Sequence, residues 1–200
     1  MKRFILFLGI VFLIIGCQRK NEITEQILTP NEIEQAIKYG KENANLTFSE
    51  FVKDWSIDRG YEFTGGKAVL ITPFLRVALL SKNAEERNQK VDMKVINMVL
   101  KDISDKICFK VTLYGDYATF GRTAKFYLEY NGKKIQPISS FMAPYSQFAR
   151  DYTHISEGEV KFSKKEIPEK TKVNLVVTFK PVEEDKEITT SFEFDLKKYK

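Results

Sequence analysis

Lys172-Val173-Asn174-Leu175-Val176-Val177-Thr178-Phe179-Lys180 is the stretch that decides the fold: Val173, Leu175, Val177 and Phe179 alternate with Lys172, Asn174, Thr178 and Lys180. A two-residue period sends successive side chains to opposite faces of an extended strand, so this segment has one apolar and one more polar face. The same period recurs upstream, where Phe126, Leu128 and Tyr130 alternate with Lys125, Tyr127 and Glu129, and downstream in Ile188, Phe192, Phe194 and Leu196. Asn131-Gly132 predicts a tight hairpin after the upstream run, because a primed turn needs positive φ at both central positions. Gly115-Asp116 and Ile167-Pro168-Glu169-Lys170 mark further turns. One-sided strands joined by turns form antiparallel sheets with one face on a core, and two such sheets can cover each other. The expectation is a mainly β chain, an antiparallel β-sandwich over residues 67–200.

Working toward the N-terminus, the pattern becomes helical. Thr29, Pro30 and Glu32 supply an N-cap, a first-turn proline and early acidic charge ahead of Ile33, Ala36 and Ile37. Thr47, Ser49 and Glu50 repeat the signature before Phe51, Val52 and Trp55. Two short helices therefore form a small N-terminal annex over 29–66, with Trp55 expected to pack it onto the sheet. Ala68 to Leu80 is almost continuously apolar and fits either a strand kinked at Pro73 or a helix starting there; the kinked strand is the expectation. Val91, Val95, Met98, Val99 and Ile103 then recur at helical spacing, which predicts an amphipathic helix lying on a sheet face.

Composition narrows the partners. The formal charge is +5, Lys and Arg are interleaved with Asp and Glu along the chain, and no basic face emerges. Nucleic acid is not an expected partner. Sixteen Phe and nine Tyr favour an aromatic-rich β core. There are two cysteines, Cys17 and Cys108. In Ile107-Cys108-Phe109-Lys110-Val111-Thr112-Leu113 the odd positions are apolar, so Cys108 is expected on the less apolar face as a half-buried, inert thiol with no dedicated base beside it.

The first residues carry an address. Met1-Lys2-Arg3 is a short cationic start, Phe4 to Ile15 is apolar, and Ile14-Ile15-Gly16-Cys17 closes the run. A membrane span needs about 20 apolar residues and a signal core roughly 7 to 15, so this run fits the second. A branched aliphatic, then Gly, then Cys resembles the lipobox of bacterial lipoproteins. That resemblance implies cleavage of residues 1–16, acylation of Cys17, and a tether over 17–28 between membrane and fold. Loss of Lys2 and Arg3 with the leader would lower the formal charge from +5 to +3. Gln18, where some lipoproteins carry a retaining Asp, resembles the outer-membrane version if the cell has two membranes. The expected location is the cell envelope, with the membrane itself as a partner through the lipid on Cys17.

The strand-rich region Lys67 to Lys200 resembles, at the level of architecture, the immunoglobulin-like sandwiches common in bacterial surface and periplasmic lipoproteins. It departs from antibody domains in lacking paired cysteines with a core tryptophan between them. Such a fold does not imply a function.

Signatures of chemistry are scarce. Gly60-Tyr61-Glu62-Phe63-Thr64-Gly65-Gly66-Lys67 approximates a phosphate-binding loop, but Gly66 intrudes before Lys67 and Ala68 replaces the magnesium-binding hydroxyl. His154 is the only histidine, so a multi-histidine metal centre within the chain is excluded. Glu183, Glu184, Asp185 and Glu187 form an acidic cluster without the spacing or glycine of a calcium loop, and read as a solvated hairpin tip. No catalytic residue, metal or cofactor is expected. Ser139 to His154 is different, because Phe141, Met142, Pro144, Tyr145, Phe148, Tyr152 and His154 crowd between strands with Arg150 and Asp151. Interstrand segments rich in aromatics and arginine suit recognition, and the candidate binding residues are Tyr145, Phe148, Arg150, Tyr152 and His154. Alternatively, Pro144 starts a helical turn whose Tyr145, Phe148 and Tyr152 cap the core.

The expected function is a non-catalytic binding or assembly module on an envelope-anchored lipoprotein, with an envelope protein or peptidoglycan-associated partner. A carrier of an apolar ligand is the alternative, suggested by the surplus of Phe and Tyr. A hydrolase using Asp54, Asp58 or Glu62 is a third reading, for which no paired geometry is inferable.

Overall fold

In the computed structural model, residues 27–62, 64–149, 153–168, 171–183 and 186–199 are described. The expected leader, Cys17 and most of the expected tether lie outside them. From the N-terminal end the elements are α1 (Pro30–Glu42), α2 (Phe48–Phe51), β1 (Ser56–Asp58), β2 (Lys67–Ile71), α3 (Pro73–Glu86), α4 (Met93–Ile103) and β3 (Lys106–Gly115). They are followed by β4 (Lys125–Tyr130), β5 (Lys133–Ile135), β6 (Ser139–Met142), β7 (Gln147–Phe148), β8 (His154–Ser163), β9 (Lys172–Phe179) and β10 (Ile188–Asp195).

The chain is mainly β, with two antiparallel sheets. One has six strands, ordered β1-β2-β3-β8-β6 with β7 also on β8; the other has four, ordered β10-β9-β4-β5. Phe109, Val111 and Leu113 of β3 and Val160 and Phe162 of β8 share a buried core with Leu128 of β4, Leu175 and Val177 of β9, and Phe192 and Phe194 of β10. Phe109 meets Phe194 with ring centroids 5.1 Å apart, so the two sheets stack as a sandwich. Burial of each such side chain contributes about 1.5–3 kcal/mol. The Asn131-Gly132 turn has φ of 48° and 72°, and it joins β4 to β5 with Tyr130 opposite Lys133.

A second core lies on the other face of the six-stranded sheet. There Val69, Ile71 and Cys108 pack under helical residues including Phe51, Val52, Leu75, Ala78, Ile96 and Leu100. Capping boxes start both α1 and α2, Thr29 with Glu32 and Thr47 with Glu50. Helices α1 and α3 approach closely at Gly40, where a Cβ would collide with the Ala78 carbonyl and the Ser81 side chain. Ser81 Oγ donates to the Ile37 carbonyl at 2.7 Å across the same contact. Strand β1 pairs with β2, Ser56 opposite Val69 and Asp58 opposite Lys67, so the sheet begins before residue 67. The helical layer likewise continues past residue 66, through α3 and α4.

Three expectations are corrected by this arrangement. Ala68 to Leu80 is not a kinked strand: β2 ends at Ile71, Thr72 Oγ1 accepts from the Leu75 amide at 3.1 Å, and Pro73 occupies the first turn of α3. The run is continuously apolar because β2 is buried on both faces, Ala68 and Leu70 toward the sandwich and Val69 and Ile71 toward the helices. On α4 the buried stripe is Ile96, Leu100 and Ile103, while Val95 and Met98 are exposed. The helix is turned because it packs against α3 as well as β3. Trp55 joins the core between the helices and the six-stranded sheet as expected, stacked on Phe74 at 6.3 Å and edge-on to Tyr39 at 5.8 Å. Cys108 is not half-buried; it is 1% exposed, since helices cover the face of β3 on which it lies.

Candidate functional site

The helical layer stops short of the sheet edge. Across the outer face of the six-stranded sheet, one row runs Val69, Lys110, Glu159, Phe141, and the neighbouring row runs Ile71, Cys108, Lys161, Ser139. Val69, Ile71 and Cys108 are covered by helices, and Lys161 is reached by Asp102 at the end of α4, whereas Glu159, Phe141 and Ser139 are not covered. The uncovered part is an open groove of about 300 Å³. One wall is Phe48 of α2 with Ile71 and with Arg76 and Leu79 of α3; the other is Phe141 of β6. Lys110, Glu157, Gly158 and Glu159 form its floor. The alternation of β8 explains the charged floor, since Val160 and Phe162 fill the sandwich core and leave Glu157, Glu159 and Lys161 pointing the other way.

Most charges here are already committed. Lys110 Nζ pairs with Glu157 at 3.0 Å and lies 4.3 Å from the Phe48 ring centroid, a cation–π contact. Asp102, at the C-terminal end of α4, holds Lys106 at 3.0 Å and Lys161 at 3.1 Å. Its carboxyl is held below the usual carboxylate range, first by the Lys106 hydrogen bond and then by that of Lys161. Two groups are different. Glu159 has Lys161 at 3.7 Å, beyond hydrogen-bond reach, and its Oε1 is buried without a hydrogen-bond partner. The Arg76 guanidinium has no hydrogen bond or ion pair among the described residues.

Beside the groove runs the aromatic segment singled out in the sequence. Pro144 starts no helical turn; β6 and β7 flank a bend and both pair with β8. Tyr145 and Phe148 are each 65% exposed and Phe141 is 64% exposed, so these rings face solvent rather than capping the core. The core-cap reading fails because backbone pairing of β7 to β8, with Gln147 opposite Ile155 and Phe148 opposite His154, keeps the segment at the sheet edge. Arg122 braces it, donating Nε–H to the Pro144 carbonyl at 2.9 Å and lying 4.7 Å from the Tyr145 ring centroid. His154 is half-buried, edge-on to Phe148 at 5.3 Å, with Nδ1 at 2.9 Å from Ser146 Oγ. Ser146 Oγ donates to the Ala118 carbonyl at 2.9 Å, so Nδ1–H is the donor in the Ser146–His154 pair. A serine whose proton is turned away from the imidazole is a tie between loops, not an activated nucleophile. Arg150 and Tyr152 lie outside the described residues.

The carboxylates of the hydrolase reading are not brought together. Asp58 faces Lys67 at 3.8 Å and accepts the Gly60 amide at 2.9 Å, while Asp54 sits in the 3-10 turn Lys53–Trp55 and Glu62 in the following exposed loop. Among the described residues no group of three or more His, Cys, Asp or Glu is arranged to hold a metal ion. Glu187 of the acidic cluster pairs with Lys125 at 2.6 Å, and Glu184 and Asp185 lie outside the described residues. No helix among the described residues is long and apolar enough to cross a membrane.

Sequence reading missed the groove residues Phe48, Arg76, Lys110 and Glu159. The alternation of charged Glu157, Glu159 and Lys161 with Val160 and Phe162 was a visible signal for its floor. That the helices end before reaching it was not visible. Neither a known protein-family model nor a curated protein matches this chain.

Proposed function

We propose that this chain is a non-catalytic binding module of an envelope-anchored lipoprotein, with the exposed β6–β7 edge of the six-stranded sheet as its recognition surface. In this reading residues 1–16 are a leader, Cys17 is acylated, and the residues up to about 28 tether an immunoglobulin-like sandwich with an N-terminal helical annex. The membrane is then a partner through lipid, and the second partner is an envelope protein. The observation that carries the reading is the exposure of three aromatic rings on one edge segment: Phe141 on the wall of the open groove, and Tyr145 and Phe148 farther along the edge against Arg122 and His154. Exposed aromatic rings held on a braced backbone offer contact area with little entropy left to lose on binding. The charged floor of Lys110, Glu157 and Glu159 favours this over carriage of a wholly apolar ligand.

A photo-crosslinking residue placed at Tyr145 or Phe148 in living cells is expected to give a discrete adduct that the same residue at Glu193, on the other sheet, does not give. Equal or absent adducts at all three positions would end the reading. Incorporation of labelled fatty acid that persists in Cys17→Ser would separately remove the anchor.

A further inference from the structure

The groove beside the aromatic edge has a charge arrangement that specifies a ligand class. Lys110 and Glu157 pair at 3.0 Å and Asp102 holds Lys106 and Lys161; Glu159 has only the shared Lys161 at 3.7 Å, with no hydrogen bond to its Oε1, and Arg76 has no ion pair among the described residues. These two do not form an ion pair with each other, although both line the groove. Half-buried charges that lack hydrogen-bonded partners are costly, and a ligand carrying both signs would supply one to each. A dianion would meet Glu157 and Glu159, and a dication would meet Lys110 and Arg76. The apolar groups Phe48, Leu79 and Phe141 stand on either side of this pair and suit hydrocarbon or aromatic side chains. A volume of about 300 Å³ is at the low end of small-molecule sites and suits a dipeptide.

We propose that the groove between α2–α3 and β6 binds a zwitterionic dipeptide with apolar side chains, its carboxylate on the Arg76 guanidinium and its ammonium on the Glu159 carboxylate. The side chains lie between Phe48 and Leu79 on one wall and Phe141 on the other. This rests on the reading of the β6–β7 edge as the recognition surface and names what the groove beside β6 takes.

The test is calorimetric titration of the full chain in detergent with leucyl-phenylalanine, against the same dipeptide capped at both ends and a detergent blank. The free dipeptide is expected to bind saturably, and Arg76→Gln and Glu159→Gln are each expected to weaken it about tenfold or more, as loss of a charge-assisted pair should. Phe141→Ala removes a 64% exposed ring from an edge strand, outside both cores, and is expected to weaken the free dipeptide severalfold. The capped dipeptide is expected to bind no better to wild type than to the two charge variants. Absence of saturable heat at about 10 mM dipeptide would overturn the proposal, as would equal affinity for the capped and free forms. So would unchanged affinity in both charge variants, their folding checked by thermal melting. Should either variant fail to fold, the capped-ligand comparison and Phe141→Ala still decide. Crosslinking at Tyr145 and Phe148 with no dipeptide binding would sink this inference alone; the reverse result would sink the partner reading alone.

Discussion

Phe141 stands directly opposite Glu159 in the register that joins β6 to β8. An exposed ring on an edge strand is thereby set beside a carboxylate on the groove floor, and the far wall of the groove depends on how closely β6 is held to β8. Four residues of pairing hold it, from Ser139 opposite Lys161 to Met142 opposite Gly158.

Gly158 makes that approach sterically feasible, because a Cβ there would strike the Phe141 carbonyl oxygen and Met142 Sδ. Gly158→Ala should displace β6, lower stability by about 1–3 kcal/mol as over-packing does, and speed amide exchange in residues 139–142. Unchanged exchange there, with wild-type stability, would show that the strand tolerates the extra carbon.

Lys82 is only 5% exposed, and its ammonium is consumed inside the helical layer. Nζ donates to the Leu46 carbonyl and to Glu86 Oε1, both at 2.7 Å, and also to the Ala44 carbonyl. It thus clamps the connection between α1 and α2 onto α3. Lys82→Met keeps the hydrocarbon stem but orphans two carbonyls, and should cost about 1–3 kcal/mol in denaturant unfolding. A melt equal to wild type would mean that water satisfies those carbonyls.

Burial, reinforced by the Glu159 charge, pushes the Cys108 thiol up to about 11 from an ordinary value of 9.0. The folded chain therefore holds this proton more tightly than the unfolded chain. Its contribution to stability is full below about pH 9 and is lost as pH rises through about 11. In a Cys17→Ser background, Cys108 should react with a thiol reagent at pH 8 only after denaturation. Fast labelling of the native protein would contradict the buried placement.

Asp102 supplies the opposite limb. Hydrogen bonds from Lys106 and then Lys161 lower its folded value below the ordinary 3.8, so its contribution is present above that value and disappears as pH falls through the lower one. The side chain is 51% exposed, so solvent screening keeps the effect under about 1 kcal/mol. Asp102→Asn should flatten the acid side of a stability–pH profile slightly while leaving the profile near neutrality parallel to wild type. An unaltered acid limb would remove Asp102 from the account.

The periodic strands were legible because each records its own surroundings. Val173 to Phe179 and Phe126 to Tyr130 alternate as half-covered strands do, Asn131-Gly132 names its turn by the φ it demands, and Thr29 with Glu32 and Thr47 with Glu50 spell their capping boxes. All are interactions within a few residues. Ala68 to Leu80 was misread for a related reason: a strand covered on both faces loses its alternation, and nothing local says that Thr72 will cap a helix rather than continue the strand.

By itself, then, the sequence determined the mainly β character, the turns and the helix starts, since local sterics and periodicity settle those. Tertiary packing alone decided that the helices lie over β2 and β3 and touch β8 at the Asp102–Lys161 pair, that α4 presents Ile96 rather than Met98 to its neighbours, and that Tyr145 and Phe148 face water. It also decided that Phe48, Arg76, Phe141 and Glu159, drawn from four separate elements, meet around one groove. Each of those outcomes depends on where distant segments come to rest against one another, and no window of neighbouring residues contains that information.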